Sequence, residues 1–148
     1  MAKEKLFHVG VKALITNRAG QILIFETDTS KFLTPEQSHA DLPGGRIDIG
    51  EDPLAALKRE MVEETGITDF DGAELFTSVI SPIQIPISQT ERVGLALMVY
   101  RVTVPEGSTV TLSDEHTGYE WVSAREAARR LTYKFGQEFA DTLLQAHA

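Results

Sequence analysis

Between Asp52 and Gly66 the chain carries a full set of helix boundaries, and this segment restricts the fold more than any other. Asp52 can accept at an N-cap, and Pro53 suits a first turn because the N–H it lacks has no partner there anyway. Gly66 can adopt the left-handed conformation that closes a helix. The grammar predicts a helix over residues 53–65. Leu54, Leu57, Lys58 and Met61 recur at helical spacing, so their apolar members predict one buried stripe and leave the acidic residues to another face.

The flanking segments read mainly as strands. Residues 7–16 are rich in β-branched and apolar types, residues 17–20 read as a turn, and residues 21–26 continue as a second strand, which together predict a hairpin. Residues 27–40 are polar and irregular, with Pro35 and His39 inside them, and read as a long loop of the kind used for substrate contact. Asp41-Leu-Pro-Gly-Gly45 follows as a tight backbone element. Residues 75–81 and 93–104 read as strands separated by a proline-containing loop, and the second is apolar enough to be a central strand covered on both sides. Residues 111–118 read as a polar loop and residues 119–122 as a short strand. Ser123 reads as the cap of a helix running to about Leu131, and a final helix is expected over residues 135–146. No repeat, linker or low-complexity tract interrupts the pattern. A chain of 148 residues with 42% hydrophobic content can bury one core and is too short for two ordinary domains, so a single mixed α+β domain over residues 1–148 is expected.

Charge and cysteine content narrow the chemistry. The formal net charge of -8 repels phosphate polymers, and the sequence has no basic strip to override it, so a nucleic acid polymer is not an expected partner. A small polyphosphate is anionic too, and its capture would need bound cations as mediators. With no cysteine, disulfides, a thiol nucleophile and thiolate zinc sites are all ruled out. The longest apolar stretch is far below the ~20 residues of a membrane span, and no export signal is visible, so no membrane association and a cytoplasmic location are expected.

The acidic residues of the predicted helix carry the chemistry. At about 100° per residue, Glu60, Glu63 and Glu64 fall within an arc of roughly 100°. Like charges at this spacing cost a few tenths of a kcal/mol per pair, and the C-terminal end of the helix dipole adds to that cost. Clustered hard oxygen donors suit magnesium or manganese, which keep several waters and bridge to substrate phosphates. Arg59 can orient one of the carboxylates or contact phosphate directly. Gly44 and Gly45 leave backbone groups accessible, so a carbonyl there can join a metal shell. On the three glutamates alone, a solvated acidic helix face is the plainer explanation.

The wider pattern argues against that explanation. Gly45-Arg-Ile-Asp-Ile-Gly-Glu51 followed by Arg59-Glu-Met-Val-Glu-Glu-Thr-Gly-Ile67 resembles the Nudix box, G-x5-E-x7-R-E-U-x-E-E-x-G-U, at every specified position. The flanking strands, the Leu42-Pro-Gly-Gly45 lead-in and the later Glu-Trp-Val step are similar to the rest of a Nudix domain. The resemblance implies an α/β/α sandwich with a mixed β-sheet and the box helix packed on it. It also implies magnesium- or manganese-dependent hydrolysis of a phosphoanhydride bond in a nucleoside diphosphate linked to another group, such as ADP-ribose or a sugar nucleotide. Glu60, Glu63 and Glu64 are the implied metal ligands, joined by the Gly45 carbonyl, with Glu51 and Arg59 in support. A homodimer is also implied.

The implied reaction is in-line attack of water on phosphorus, with Glu115 as the candidate general base and Asp114 or His116 as alternatives. Arg46, beside the glycines, is a candidate phosphate contact. Phe32, Phe76, Tyr119 and Phe135 read as core aromatics before base-stacking ones. Pro82 resembles a feature of ADP-ribose-cleaving members, whereas Ile83-Gln-Ile-Pro86 departs from what usually follows it. The rival activity is a nucleoside triphosphate pyrophosphohydrolase that sanitises nucleotides. Rivals from other classes are a non-catalytic nucleotide-binding sensor and a purely structural acidic domain.

Overall fold

The computed structural model describes residues 4–27, 40–105, 107–113 and 116–147. Among them run β1 (Phe7–Thr16), β2 (Ile22–Thr27), β3 (Ala40–Asp41), β4 (Gly44–Arg46), α1 (Pro53–Thr65), β5 (Asp71–Ile80), β6 (Ile85–Pro86), β7 (Arg92–Thr103), β8 (His116–Val122), α2 (Ala124–Phe135) and α3 (Gln137–Ala146).

The alternation of the apolar strands decides the layering. In β1, Val11, Ala13 and Ile15 face one side with Leu23, Phe25 and Val102, where Ala56, Leu57 and Met61 of α1 cover them. Leu14 faces the other side with Ile24, Leu97 and Val99, under Leu131 and Phe135 of α2 and Leu143 of α3. Helices therefore cover both faces of one sheet, giving the expected α/β/α sandwich. The sheet is mixed: β1 and β7 run parallel from Phe7↔Gly94 to Thr16↔Thr103, and β5 lies antiparallel on the far side of β7. The nearly apolar β7 is thus central, as its composition predicts.

The other edge of β1 is divided, and this division positions the site. β2 pairs with β1 at Thr16↔Ile22 and otherwise pairs with β8 and β3. The short β4 takes the vacated edge, setting Gly45 opposite Val11 and Gly44 opposite Lys12. Asp41, the double glycine and the start of β8 come together around this fork.

Helix α1 has the predicted bounds and caps. The Asp52 side chain accepts from the Ala55 N–H at 2.9 Å, and Gly66, at φ 73°, donates its N–H to the Val62 carbonyl. Its buried face matches the predicted one only in part: Leu57 and Met61 are fully buried as expected. Leu54 is 44% exposed, while Glu60 and Glu64 are 8% and 5% exposed on the same face as Leu57 and Met61. At about 100° per residue Glu60 and Glu64 both lie within about 60° of Leu57, so apolar and acidic residues share one side of the helix.

Boundaries of other elements do differ. Helix α2 continues past Leu131 to Phe135, because Leu131 and Phe135, one turn apart, both reach the core under the sheet. β5 begins at Asp71, ahead of the expected Leu75. β8 begins at His116 inside the expected polar loop, because pairing with β2 outweighs the poor strand preference of Gly118. No helix among the described residues is long and apolar enough to cross a membrane.

Candidate active site

Strand β4 brings Gly45 under the acidic face of α1. A Cβ on Gly45 would overlap the Glu60 carboxyl group, so only glycine lets this carboxylate lie against the backbone. The Gly45 carbonyl lies over Gly10, where an added Cβ would come within 3.0 Å of it.

Arg59 organises the loop ahead of the helix. Its Nε donates to Glu51 Oε2 at 2.9 Å, and its Nη2 donates to Glu51 Oε1 at 2.9 Å and to the Arg46 carbonyl at 3.0 Å. Its Nη1 donates to Glu60 Oε1 at 2.8 Å and stands 3.6 Å from Glu63 Oε2. Glu51 Oε1 also accepts from the Asp48 N–H at 3.0 Å. The Arg59 hydrogen bonds and then the Asp48 N–H hold the Glu51 carboxyl at about 2, well below its ordinary value. Glu60 moves the other way: burial against β4 raises it, and the Arg59 hydrogen bond opposes that rise without cancelling it. Glu64 is engaged elsewhere, with His116 Nε2 donating to its Oε2 at 2.8 Å and Ser113 Oγ at 3.4 Å.

Glu60, Glu63 and Glu64 nevertheless open onto one cavity of about 650 Å³, walled also by Gly44, Gly45 and Arg46. Its donor set is three carboxylates, the chemistry a hard divalent cation requires. The glycine cradle sets the Glu60 carboxyl directly against the backbone of β4 at the wall of this cavity. Among the described residues no trio of His, Asp and Glu side chains already stands at metal-holding spacing. Glu60 points to Arg59 and Glu64 to His116, and side-chain rotation into the shared cavity is needed to bring them together. With that rotation the residues fit a magnesium or manganese ion.

A second cavity, of about 230 Å³, adjoins the first and shares Gly44, Gly45, Arg46 and Glu64 with it. It is built on a buried ion cluster. Lys12 Nζ donates to Asp41 Oδ2 and to the Leu42 carbonyl, each at 3.1 Å, and Lys134 Nζ donates to the same Asp41 oxygen at 2.6 Å. Burial would raise the Asp41 carboxyl, but Lys12 and Lys134 together hold it far below the usual carboxylate range.

The structure thus brings Gly45, Arg46, Glu60, Glu63 and Glu64 to one cavity, with Arg59 alongside. Glu115 and Asp114 lie outside the described residues, as do Phe32 and His39. His116 sits against Glu64 with its ring tilted on Phe25. Phe135 belongs to the core, Phe76 packs edge-on to Phe139, and Tyr119 is half-exposed. Sequence reasoning missed Lys12, Asp41 and Lys134. The signal for Lys12 was present: it is the single charge inside the apolar run of residues 9–15.

Comparison with known proteins agrees with this geometry. Residues 6–143 match the NUDIX domain. The chain is 29% identical over 140 residues to the asymmetrical bis(5'-nucleosyl)-tetraphosphatase of Mus musculus, covering 90% of each protein. It is 34% identical over 94 residues to an octanoyltransferase of Myxococcus xanthus, which is 61% of this chain but only 24% of that protein. The crystal structure of a MutT protein from Methanosarcina mazei Go1 superposes with a TM-score of 0.69 at 27% identity, covering 99% of each chain. With the box helix, its glycine cradle and the layered sheet all in place, this chain belongs to the Nudix family of pyrophosphohydrolases.

Proposed function

We propose that the chain hydrolyses, with magnesium or manganese, a phosphoanhydride bond in a nucleoside diphosphate linked to another group. The observation that carries this reading is the convergence of Glu60, Glu63 and Glu64 with Gly45 on one cavity that continues into a second. Two adjoining cavities meeting at Gly44, Gly45, Arg46 and Glu64 suit a diphosphate that bears a substituent on each side.

In this reading Glu60, Glu63, Glu64 and the Gly45 carbonyl hold the metal. When bound, it neutralises phosphoryl charge and acidifies the attacking water. Arg59, fixed by Glu51, holds Glu60 at the wall of the cavity until a metal draws it in, and Arg46, whose carbonyl Arg59 holds, presents its side chain to phosphate at the junction of the two cavities. The general base is assigned to Glu115 from sequence alone. Similarity to the tetraphosphatase over nine-tenths of both chains supports a substrate with groups on both sides of its phosphates. Similarity to the MutT protein favours a second reading, in which a nucleoside triphosphate loses pyrophosphate. The intact carboxylate set counts against a non-catalytic sensor.

The deciding experiment incubates the protein with magnesium or manganese and a panel of sugar nucleotides, ADP-ribose, dinucleoside polyphosphates and nucleoside triphosphates, and resolves products by mass. Two phosphate monoesters from a diphosphate-linked substrate are expected. Pyrophosphate released from triphosphates alone selects the second reading, and tight nucleotide binding without turnover selects the sensor.

A further inference from the structure

Glu64 is one of the three carboxylates assigned to the metal, yet the protein already engages it. It is only 5% exposed, and a buried carboxylate needs partners for its charge. His116 Nε2 donates to its Oε2 at 2.8 Å, Ser113 Oγ stands 3.4 Å from the same oxygen, and Lys12 attracts it from the wall of the smaller cavity. His116 itself is fixed. It pairs with Thr27 where β8 meets β2, its ring centroid lies 4.4 Å from that of Phe25, and its side chain is 10% exposed. The imidazole therefore cannot follow Glu64 into the larger cavity. Its other nitrogen, Nδ1, is buried and has no hydrogen-bond partner among the described residues. Glu60 is held from another direction, by Arg59, so the two carboxylates rest on separate partners.

We propose that His116 is a positioning residue that latches Glu64 in the metal-free protein and must release it for a divalent ion to bind. The inference rests on the reading above for the metal site. Drawing Glu64 into the shared cavity breaks the 2.8 Å hydrogen bond and leaves Nε2–H buried beside Nδ1 with no acceptor, a cost that falls on metal binding. His116 therefore stabilises the metal-free fold and weakens the metal site. A residue that supports a ligand has the opposite sign, since its loss weakens metal binding roughly 10- to 100-fold. The same geometry gives His116 no nitrogen with which to take a proton from water: Nε2 already carries one, directed at Glu64, and Nδ1 is closed off.

The test reads metal affinity and stability in the absence of substrate. Manganese is titrated calorimetrically into chelator-treated protein. His116→Phe keeps a ring on Phe25 and cannot donate, so manganese should bind about tenfold tighter. His116→Gln retains a side-chain donor and should stay within about threefold of wild type. Thermal melts give a second readout. His116→Phe should melt several degrees below wild type without metal, and that gap should at least halve in saturating manganese. A residue that merely fills the core would lower both melts equally.

A third readout needs no core variant to fold. In wild-type protein with isotope-labelled histidine, the Nε2–H resonance of His116, assigned by its loss in His116→Gln, should move as magnesium saturates the site. An unmoved resonance at saturation overturns the latch. Manganese binding by His116→Phe that is equal to or weaker than wild type also overturns it and leaves His116 as an ordinary support for Glu64. Glu63→Gln should weaken manganese at least tenfold whether or not the latch exists, so it reports on the metal site alone. No saturable manganese binding by the wild type would overturn the metal-site reading itself, and the latch with it.

Discussion

Arg59 and Glu51 are joined two-on-two: Nε and Nη2 of the guanidinium each stand 2.9 Å from one oxygen of the carboxylate. Because the guanidinium is planar, fixing two of its nitrogens fixes the third. That third nitrogen, Nη1, is the one that meets Glu60 at 2.8 Å. Glu51 therefore acts on the cavity through Arg59, from the residue just ahead of the helix N-cap.

Replacing Glu51 by Gln should accordingly lower turnover by roughly 10- to 100-fold, the range seen when residues supporting a metal ligand are lost. The same substitution has a pH signature. The Glu51 carboxyl is held at about 2 in the fold against an ordinary value of 4.5, so its depressed pKa contributes stability above about 4.5, and that contribution disappears as pH falls through about 2. The melting-temperature gap between wild type and Glu51→Gln should be full at pH 6 and shrink steadily between pH 4.5 and 2. A gap that is constant over that window would show that the pair contributes no pH-dependent stability.

The two adjacent glycines should fail in different ways. At Gly44, with φ 147°, an added Cβ would run into the Val11 carbonyl and come within 2.8 Å of Lys12 Cα, both rigid strand backbone. Gly44→Ala should therefore cost several kcal/mol of stability and expression of folded protein. At Gly45 the obstacle is the carboxyl group of Glu60, the far end of a flexible side chain. Gly45→Ala should keep the melting temperature within a few degrees and lose at least tenfold in turnover, because Glu60 is pushed off the cavity floor. Thermal melts beside initial rates check both, and equal destabilisation by the two variants would contradict the packing described here.

What the sequence made legible follows from how local each signal is. Asp52, Pro53 and Gly66 specify a helix with their own backbone chemistry, and the bounds of α1 came out as read. The box spacing likewise brought Gly45 and three glutamates to one cavity. Leu57 and Met61 are buried as read, but the glutamates were assigned to a separate face because Glu is ordinarily solvated, and the fork between β2 and β4 creates a place where Glu60 and Glu64 can be buried and paired. Lys12, Asp41 and Lys134 come from β1, β3 and α2, and nothing local in the sequence says that these three meet. Helix α2 outran its expected end for a related reason: Thr132 and Tyr133 are modest helix formers, but the core claims Phe135.

The packing beneath the acidic face has its own consequence. Leu57 is fully buried between α1 and the sheet and lies one turn from Met61, on the same side as Glu60. Leu57→Ala should cost about 2–5 kcal/mol in chemical denaturation, as other large-to-small core changes do. A cost under 1 kcal/mol would mean that α1 is held mainly by its polar contacts.

Glu60 and Glu63 allow metal chemistry to be separated from structure. Glu63 has a side chain 58% exposed, and its ion pair among the described residues is a 3.6 Å approach to Arg59, so little of the fold depends on its charge. Glu63→Gln should leave stability within about 0.5 kcal/mol of wild type while turnover falls about 100-fold or more. Glu60 is buried against β4 and bonded to Arg59, so Glu60→Gln should lose comparable turnover and also loosen the Arg59 network, seen as an altered melting temperature. Titrating magnesium against rate distinguishes the causes. If the carboxylates serve the ion, both variants should need more metal for half-maximal rate, whereas wild-type metal dependence in Glu63→Gln would remove that residue from the metal site.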